Sequence, residues 1–212
     1  MPTAADLPPS LPLYALEGVI LLPGTVLPLH FFEEHHMALL DAALASEHRL
    51  IGVVQPCDES GTALHAVGCA GRIERFEERG DGSAHVTLRG LSRFRLLRTL
   101  GGNTPFPRAV VDWSDYYYEL AGGGVHVGSH DRAAFEALAL RYLALCDMAA
   151  DPGEIARAPD DLLIDSLALM CPFAPMEKQA LVEATDHAER REMLTTLMRF
   201  AITEGEMEGR VQ

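Results

Sequence analysis

Lys178 is the only lysine in the chain, so its neighbours decide several enzymatic chemistries at once. A Ser–Lys hydrolase would have to use it as the base, and a phosphate loop would need it after a glycine in GxxxxGK[ST]. Glu177 precedes it and Gln179 follows, so no phosphate loop exists. Lys178 reads instead as an exposed helical lysine. GxSxG and HExxH are also missing, which removes the nucleophile elbow and the zinc-protease helix. The expected catalytic set is empty, and the chain is not expected to be an enzyme.

The nine histidines raise metal binding. His35 and His36 are adjacent, and on a helix they diverge by about 100°, so they are not expected to face one ion. Cys57, His65 and Cys69 could converge, but zinc would need a fourth ligand and their spacing fits no ligand signature. No metal and no cofactor is expected. The four cysteines hold no CxxC pair and read as reduced thiols. Arg72, Arg75, Arg79, Arg89, Arg93, Arg95 and Arg98 could contact RNA phosphate. Glu74, Glu77 and Glu78 occupy the facing arm of the same hairpin, however, and opposite charges across a hairpin pair with one another.

The formal net charge is −14. Residues 1–113 carry nine arginines against 13 acids, and residues 114–212 carry eight cations against 18 acids. That balance disfavours a phosphate-tracking nucleic-acid binder and adsorption to anionic lipid. No membrane partner is expected. The apolar run Val19–Leu22 is far shorter than the ~20 residues a spanning helix needs. Asp6 and Glu17 stand where a secretory signal would carry positive charge, so the cytoplasm is the expected address.

The elements that would hold such residues change character along the chain. Residues 11–33, LPLYALEGVILLPGTVLPLHFFE, are apolar but broken by Pro12, Gly18, Pro23, Gly24 and Pro28, so they predict short buried strands and tight turns. Residues 35–45 place Met37, Leu40, Ala43 and Leu44 at helical spacing. Residues 49–55 read as a buried strand. Residues 67–79 and 84–97 read as a hairpin turning at Gly80-Asp81-Gly82, with Gly90 marking a bulge or a barrel corner. Residues 105–113 supply a last strand. Gly122-Gly123-Gly124 suggests a linker or exposed loop.

Helical signals follow. Asp131 caps a helix carrying Phe135, Leu138, Tyr142 and Leu145. A second starts at Asp160 or Asp161, carries Leu163, Leu167 and Met170, and stops before Pro172. A third starts near Pro175. A fourth starts near Asp186 and carries Met193, Leu197 and Phe200, with fraying expected from Glu204. The expected class is α+β: a mostly antiparallel β-barrel lobe with one short helix over residues 1–118, then a helical bundle lobe over 119–212.

The opening stretch resembles the signature of the Lon protease N-terminal (substrate-binding) domain family. The matching residues are Leu11-Pro12-Leu13, Gly18, Leu22-Pro23-Gly24, Leu27-Pro28-Leu29 and Phe32-Glu33. RLIGVVQP (49–56), VGCAGRIERFEE (67–78), GLSRFRLL (90–97) and PFAPMEKQALVEA (172–184) match in order and spacing, so the resemblance covers about residues 10–200. Where the family commonly continues with a small residue and Arg-Tyr, this chain has Glu34-His35-His36. The resemblance implies a PUA-like β lobe and a role in engaging polypeptide substrates. Full-length Lon proteases continue into ATPase and Ser–Lys protease modules, so this chain reads as a stand-alone member without them.

The expected function is recognition of exposed apolar polypeptide segments, as adaptor or regulator in protein quality control. The expected partners are unfolded polypeptides, an ATP-dependent protease or a single client enzyme. Leu21, Leu22, Phe31, Phe32, Phe106, Tyr116, Tyr117 and Tyr118 are the candidate contacts, with addition of a strand to an open barrel edge as one mode. The alternatives are an RNA-binding PUA-like module and a peptidase activity attributed only by homology to the full-length enzyme.

Overall fold

The computed structural model describes residues 7–58, 63–120 and 130–208, with side chains to residue 205. Gly122-Gly123-Gly124 lies outside the described residues. The chain divides into two compact units, residues 1–124 and 125–212, and the class is α+β.

The first unit holds β1 (Ser10–Ala15), β2 (Val26–Phe31), α1 (Glu34–Leu44), β3 (Leu50–Val54), β4 (Val67–Glu78), β5 (Ala84–Leu100) and β6 (Arg108–Asp112). A 3-10 turn at Ser114–Tyr116 leads into α2 (Tyr117–Leu120). The strands form one sheet in the order β2-β5-β4-β3-β1-β6. The β1–β3 pair is parallel, because β2 and α1 lie between them as a crossover that no hairpin could replace. The other pairs are antiparallel.

This corrects the expected barrel. The 17-residue β5 pairs β2 through Ala84–Arg89 and β6 through Arg95–Leu100, so the sheet curls back on itself. β2 bonds only to β5 among the described residues and keeps an open edge. The lobe is a curled, mixed six-stranded sheet and not a closed barrel.

Glycine explains the sharpest corner. Gly90 donates to the Thr25 carbonyl and accepts from the Gly24 amide, each at 2.9 Å. A Cβ at Gly90 would lie 2.0 Å from the Leu22 carbonyl oxygen, so only glycine permits this approach. The β4–β5 register also slips here, between Ala70 and Gly71. One face of the sheet packs Phe31, Ile51, Val53 and Leu88 against Leu39, Leu40 and Ala43 of α1. The other packs Leu13, Phe94, Val111 and Trp113. Arg93 is buried, its Nε 2.7 Å from Glu119 and its guanidinium over the Tyr116 ring at 4.4 Å.

The second unit holds α3 (Arg132–Leu145), α4 (Pro152–Arg157), α5 (Asp160–Met170), α6 (Pro175–Glu183) and α7 (His187–Glu208). Asp131 caps α3 by accepting from the Ala134 amide at 3.0 Å. α4 has no counterpart in the sequence reading: Pro152 starts it and Asp151 caps it by accepting from Gly153. α7 runs on to Glu208, past the expected fraying point, and the backbone at Gly205 lies close against Leu145 of α3.

Candidate functional site

Five of the eight candidate contacts are core. Leu21, Leu22, Phe31, Phe106 and Tyr116 are buried, so they present no surface to a partner. Leu21 and Phe31 join the cluster under α1, while Thr25 bonds back to Leu22 and folds the Pro23-Gly24 turn inward. Tyr116 is held beneath Arg93. Phe32, Tyr117 and Tyr118 are exposed, and the Tyr118 hydroxyl accepts from Arg93 at 2.9 Å. The tyrosine run spans a 3-10 turn and the start of α2, so its three rings point in different directions and only the first is buried. The open β2 edge carries Pro28 mid-strand. With no N–H to offer, Pro28 blunts that edge against an added strand.

Residues that the sequence reading assigned to helix stripes form a different surface. α7 bears two apolar stripes about 100° apart. Leu194, Met198 and Ile202 are buried, whereas Met193 and Leu197 are half-buried and Phe200 is 62% exposed. A helix that is apolar on two faces but buried on one has a surplus face. Against it lies α6, with Met176 67% exposed and Ala180 also exposed. Together Met176, Ala180, Met193 and Leu197 line an open groove of about 590 Å³, rimmed by Glu177, Glu189, Glu192 and Thr196. A second hollow of about 280 Å³ lies among α3, α4 and α5, with Met148, Leu162 and Met170 in its wall.

The α6–α7 groove is held by a buried ion pair. Arg190 of α7 donates to Asp165 of α5 at 2.7 Å and to the Leu181 carbonyl of α6 at 2.8 Å. Arg190 and Asp165 are 2% and 5% exposed, and His187 adds a contact to Asp165 at 3.2 Å. One guanidinium thus joins all three helices. Two rim acids also have structural work: Glu177 accepts from the Ala174 amide, and Glu189 accepts from Thr185. Glu192 is 76% exposed, with Arg191 at 3.8 Å.

Lys178 is half-buried and not solvent-exposed as expected. Its Nζ donates to the Leu169 carbonyl at 3.1 Å, and burial lowers its pKa. Burial also pushes the Cys171 thiol up to about 12, which leaves it an unreactive core group. Several hairpin arginines pair with acids: Arg89 with Glu74, Arg95 with Asp115, Arg93 with Glu119. Only the first of these is the expected cross-strand pair. His35 and His36 overturn the helical-wheel expectation. They sit in the first turn of α1 with ring centroids 4.0 Å apart, and both reach the Glu33 carboxylate. Burial, then the neighbouring His35, lowers the His36 pKa against the opposing pull of Glu33.

The fold and groove describe a two-unit α+β domain with an exposed apolar surface on its helical part. The comparisons identify its kind. A family model described as the ATP-dependent protease La (LON) substrate-binding domain matches residues 10–199, and the chain belongs to that family. It is 26% identical over 206 residues to "Lon protease 2" of Myxococcus xanthus, covering 91% of this chain and 24% of the relative. It is 29% identical over 203 residues to "Lon protease" of Roseiflexus castenholzii, covering 92% and 24%. The chain thus spans about a quarter of the length of these relatives.

Among solved structures, the N-terminal domain of the Mycobacterium avium complex Lon protease superposes with a TM-score of 0.66 at 19% identity, covering 90% of this chain and 98% of that one. The Lon N-terminal domain protein from Xanthomonas campestris gives 0.62 at 24% identity, covering 88% and 97%. These likenesses establish the fold. No helix among the described residues is long and apolar enough to cross a membrane.

Proposed function

We propose that this chain is a non-catalytic recognition module that binds exposed apolar segments of polypeptide, and that the α6–α7 groove is its principal contact surface. The observation that carries this reading is the surplus apolar stripe of α7 facing Met176 and Ala180 across an open groove. Methionine side chains are unbranched and polarisable, so they repack around ligands of different shape. A groove that must accept many sequences is well served by such a lining, and apolar helices or extended segments dock in grooves of this kind. The acidic rim favours clients whose apolar residues are flanked by lysine or arginine.

Membership in a substrate-binding family supports the same reading, and the match falls on the binding domain and not on a catalytic one. The role would be that of an adaptor or regulator working with an ATP-dependent protease or a dedicated client enzyme. Phe32, Tyr117 and Tyr118 are secondary contacts on the first unit. The RNA alternative has less support, because the hairpin arginines Arg89, Arg93 and Arg95 are engaged with carboxylates and the net charge is −14.

Calorimetric titration with a permanently unfolded protein tests the proposal. Saturable binding that competes with a basic–apolar peptide is expected, and no binding at tens of micromolar would overturn it. ATP-dependent cleavage of casein by the purified chain would overturn the non-catalytic part.

A further inference from the structure

We propose that Glu33, His35 and His36 form a binding site for a divalent transition-metal ion of the zinc type, at the corner where β2 passes into α1. Glu33 Oε2 lies 3.1 Å from His35 Nε2 and 3.5 Å from His36 Nδ1, and all three donor atoms fall within 4.8 Å of one another. Metal–ligand bonds of 2.0–2.1 Å in a tetrahedral site place neighbouring donors about 3.4 Å apart. The two separations from Glu33 bracket that value. Two imidazoles and one carboxylate are a donor set that suits zinc and the neighbouring late first-row ions, and not calcium or magnesium.

The corner is built in a way that frees these donors. Glu33 is the N-cap residue of α1, yet its side chain makes no capping hydrogen bond. Its carboxylate reaches the two imidazoles instead. The backbone at Glu33 is extended, at φ −88° and ψ 142°, which lets the side chain lie over the first turn. The His36 ring is fixed by stacking on Phe31 at 5.3 Å and by Tyr14 at 4.9 Å, so one ligand is preorganised. Glu33 and His35 are each nearly half exposed, leaving an open approach and room for water at a fourth position. The positive end of α1 opposes a cation there, by no more than about fivefold in affinity at an exposed terminus. Glu34 in the same turn offsets part of that.

Titration calorimetry of the metal-stripped chain with zinc chloride tests the site, with cobalt(II) absorption as a second readout of ligand geometry. One equivalent of zinc is expected to bind, and cobalt is expected to give the intense visible bands of a low-coordinate site. Substituting a ligand should cost at least the ~10-fold that loss of an outer-shell partner costs, so Glu33→Gln and His35→Gln should each weaken binding by about tenfold or more. His35 is exposed, so His35→Gln leaves the fold intact by circular dichroism even where His36→Gln disturbs the packing on Phe31. A His30→Gln/His85→Gln control removes the other neighbouring imidazole pair, stacked at 4.7 Å, and should bind zinc as the parent does. Absence of a saturable event at hundred-micromolar zinc overturns the proposal, and so does undiminished binding by the Glu33→Gln/His35→Gln variant.

Discussion

Both units leave large apolar side chains in solvent, but they arrange them differently. In the β unit Phe32, Leu97, Tyr117 and Tyr118 are exposed, yet none of them lines a hollow at the edge of its sheet. That hollow, about 310 Å³, mixes Pro8, Leu11, Pro12, Ala42, Leu50 and Phe106 with Ser10, Ser46, His48, Thr104 and Arg108, and its surface is more polar than those of the helical unit. In the helical unit Met176 and Met170 each stand in the wall of a hollow whose lining surface is mainly apolar. The difference follows from geometry. A strand alternates its side chains between two faces, and a sheet curled between two clusters can bury both. A helix turns its side chains through a full circle, and α7 has core partners for only one of its two apolar stripes. An exposed side chain on the β unit is a single contact, whereas the helical unit offers a continuous surface.

The widest effect on that comparison comes from the element that shapes the helical surface. Asp165→Ala leaves the Arg190 guanidinium buried without its partner, and breaking a buried pair in this way costs about 3–5 kcal/mol. Urea denaturation should report that loss, and the groove should fail to bind even where the unit remains folded. On the β side, Gly90→Ala places a Cβ against the Leu22 carbonyl, a backbone atom that cannot swing aside. The expected cost is about 1–3 kcal/mol or more, read as a lower unfolding midpoint with no direct effect on groove residues.

Smaller effects separate the two surfaces without unfolding either. Met193→Gln/Leu197→Gln should weaken binding of an unfolded polypeptide by about tenfold, about 1.4 kcal/mol. Phe32→Ser/Tyr117→Ser should change it by less than about threefold, since each removes a solvent-exposed ring of the first unit. Reversal of those two results would move the site to the β unit. Glu192→Gln should have the least effect, lowering affinity for a basic–apolar peptide by up to about twofold and flattening its salt dependence, as expected of an exposed rim charge.

Most elements are legible in the sequence because their signals are local. Alternation at Val86 and Leu88, and the Gly80-Asp81-Gly82 turn, specify the β4–β5 hairpin. Pro175 and Asp131 mark helix starts. Choices that depend on packing were not legible. Met193, Leu197 and Phe200 form a good apolar stripe, but so do Leu194, Met198 and Ile202, and only the fold decides which of them faces inward. Leu21, Leu22 and Phe31 look available beside so many turn residues, yet all three are buried, Leu21 and Phe31 in the cluster under α1. A helical wheel separates His35 from His36, but it does not account for long side chains in a first turn or for Glu33 lying just ahead of it. The parallel β1–β3 pair is a property of topology and leaves no mark in either strand.

The central claim is that polypeptide binds to the α6–α7 groove, and methionine methyl resonances test it most directly. In a chain labelled at its eight methionine methyls, titration with an unfolded polypeptide should shift Met176 and Met193 saturably. Met37, packed against the core of the β unit, should stay in place. Saturable shifts at Met37 with Met176 and Met193 unmoved would contradict the account.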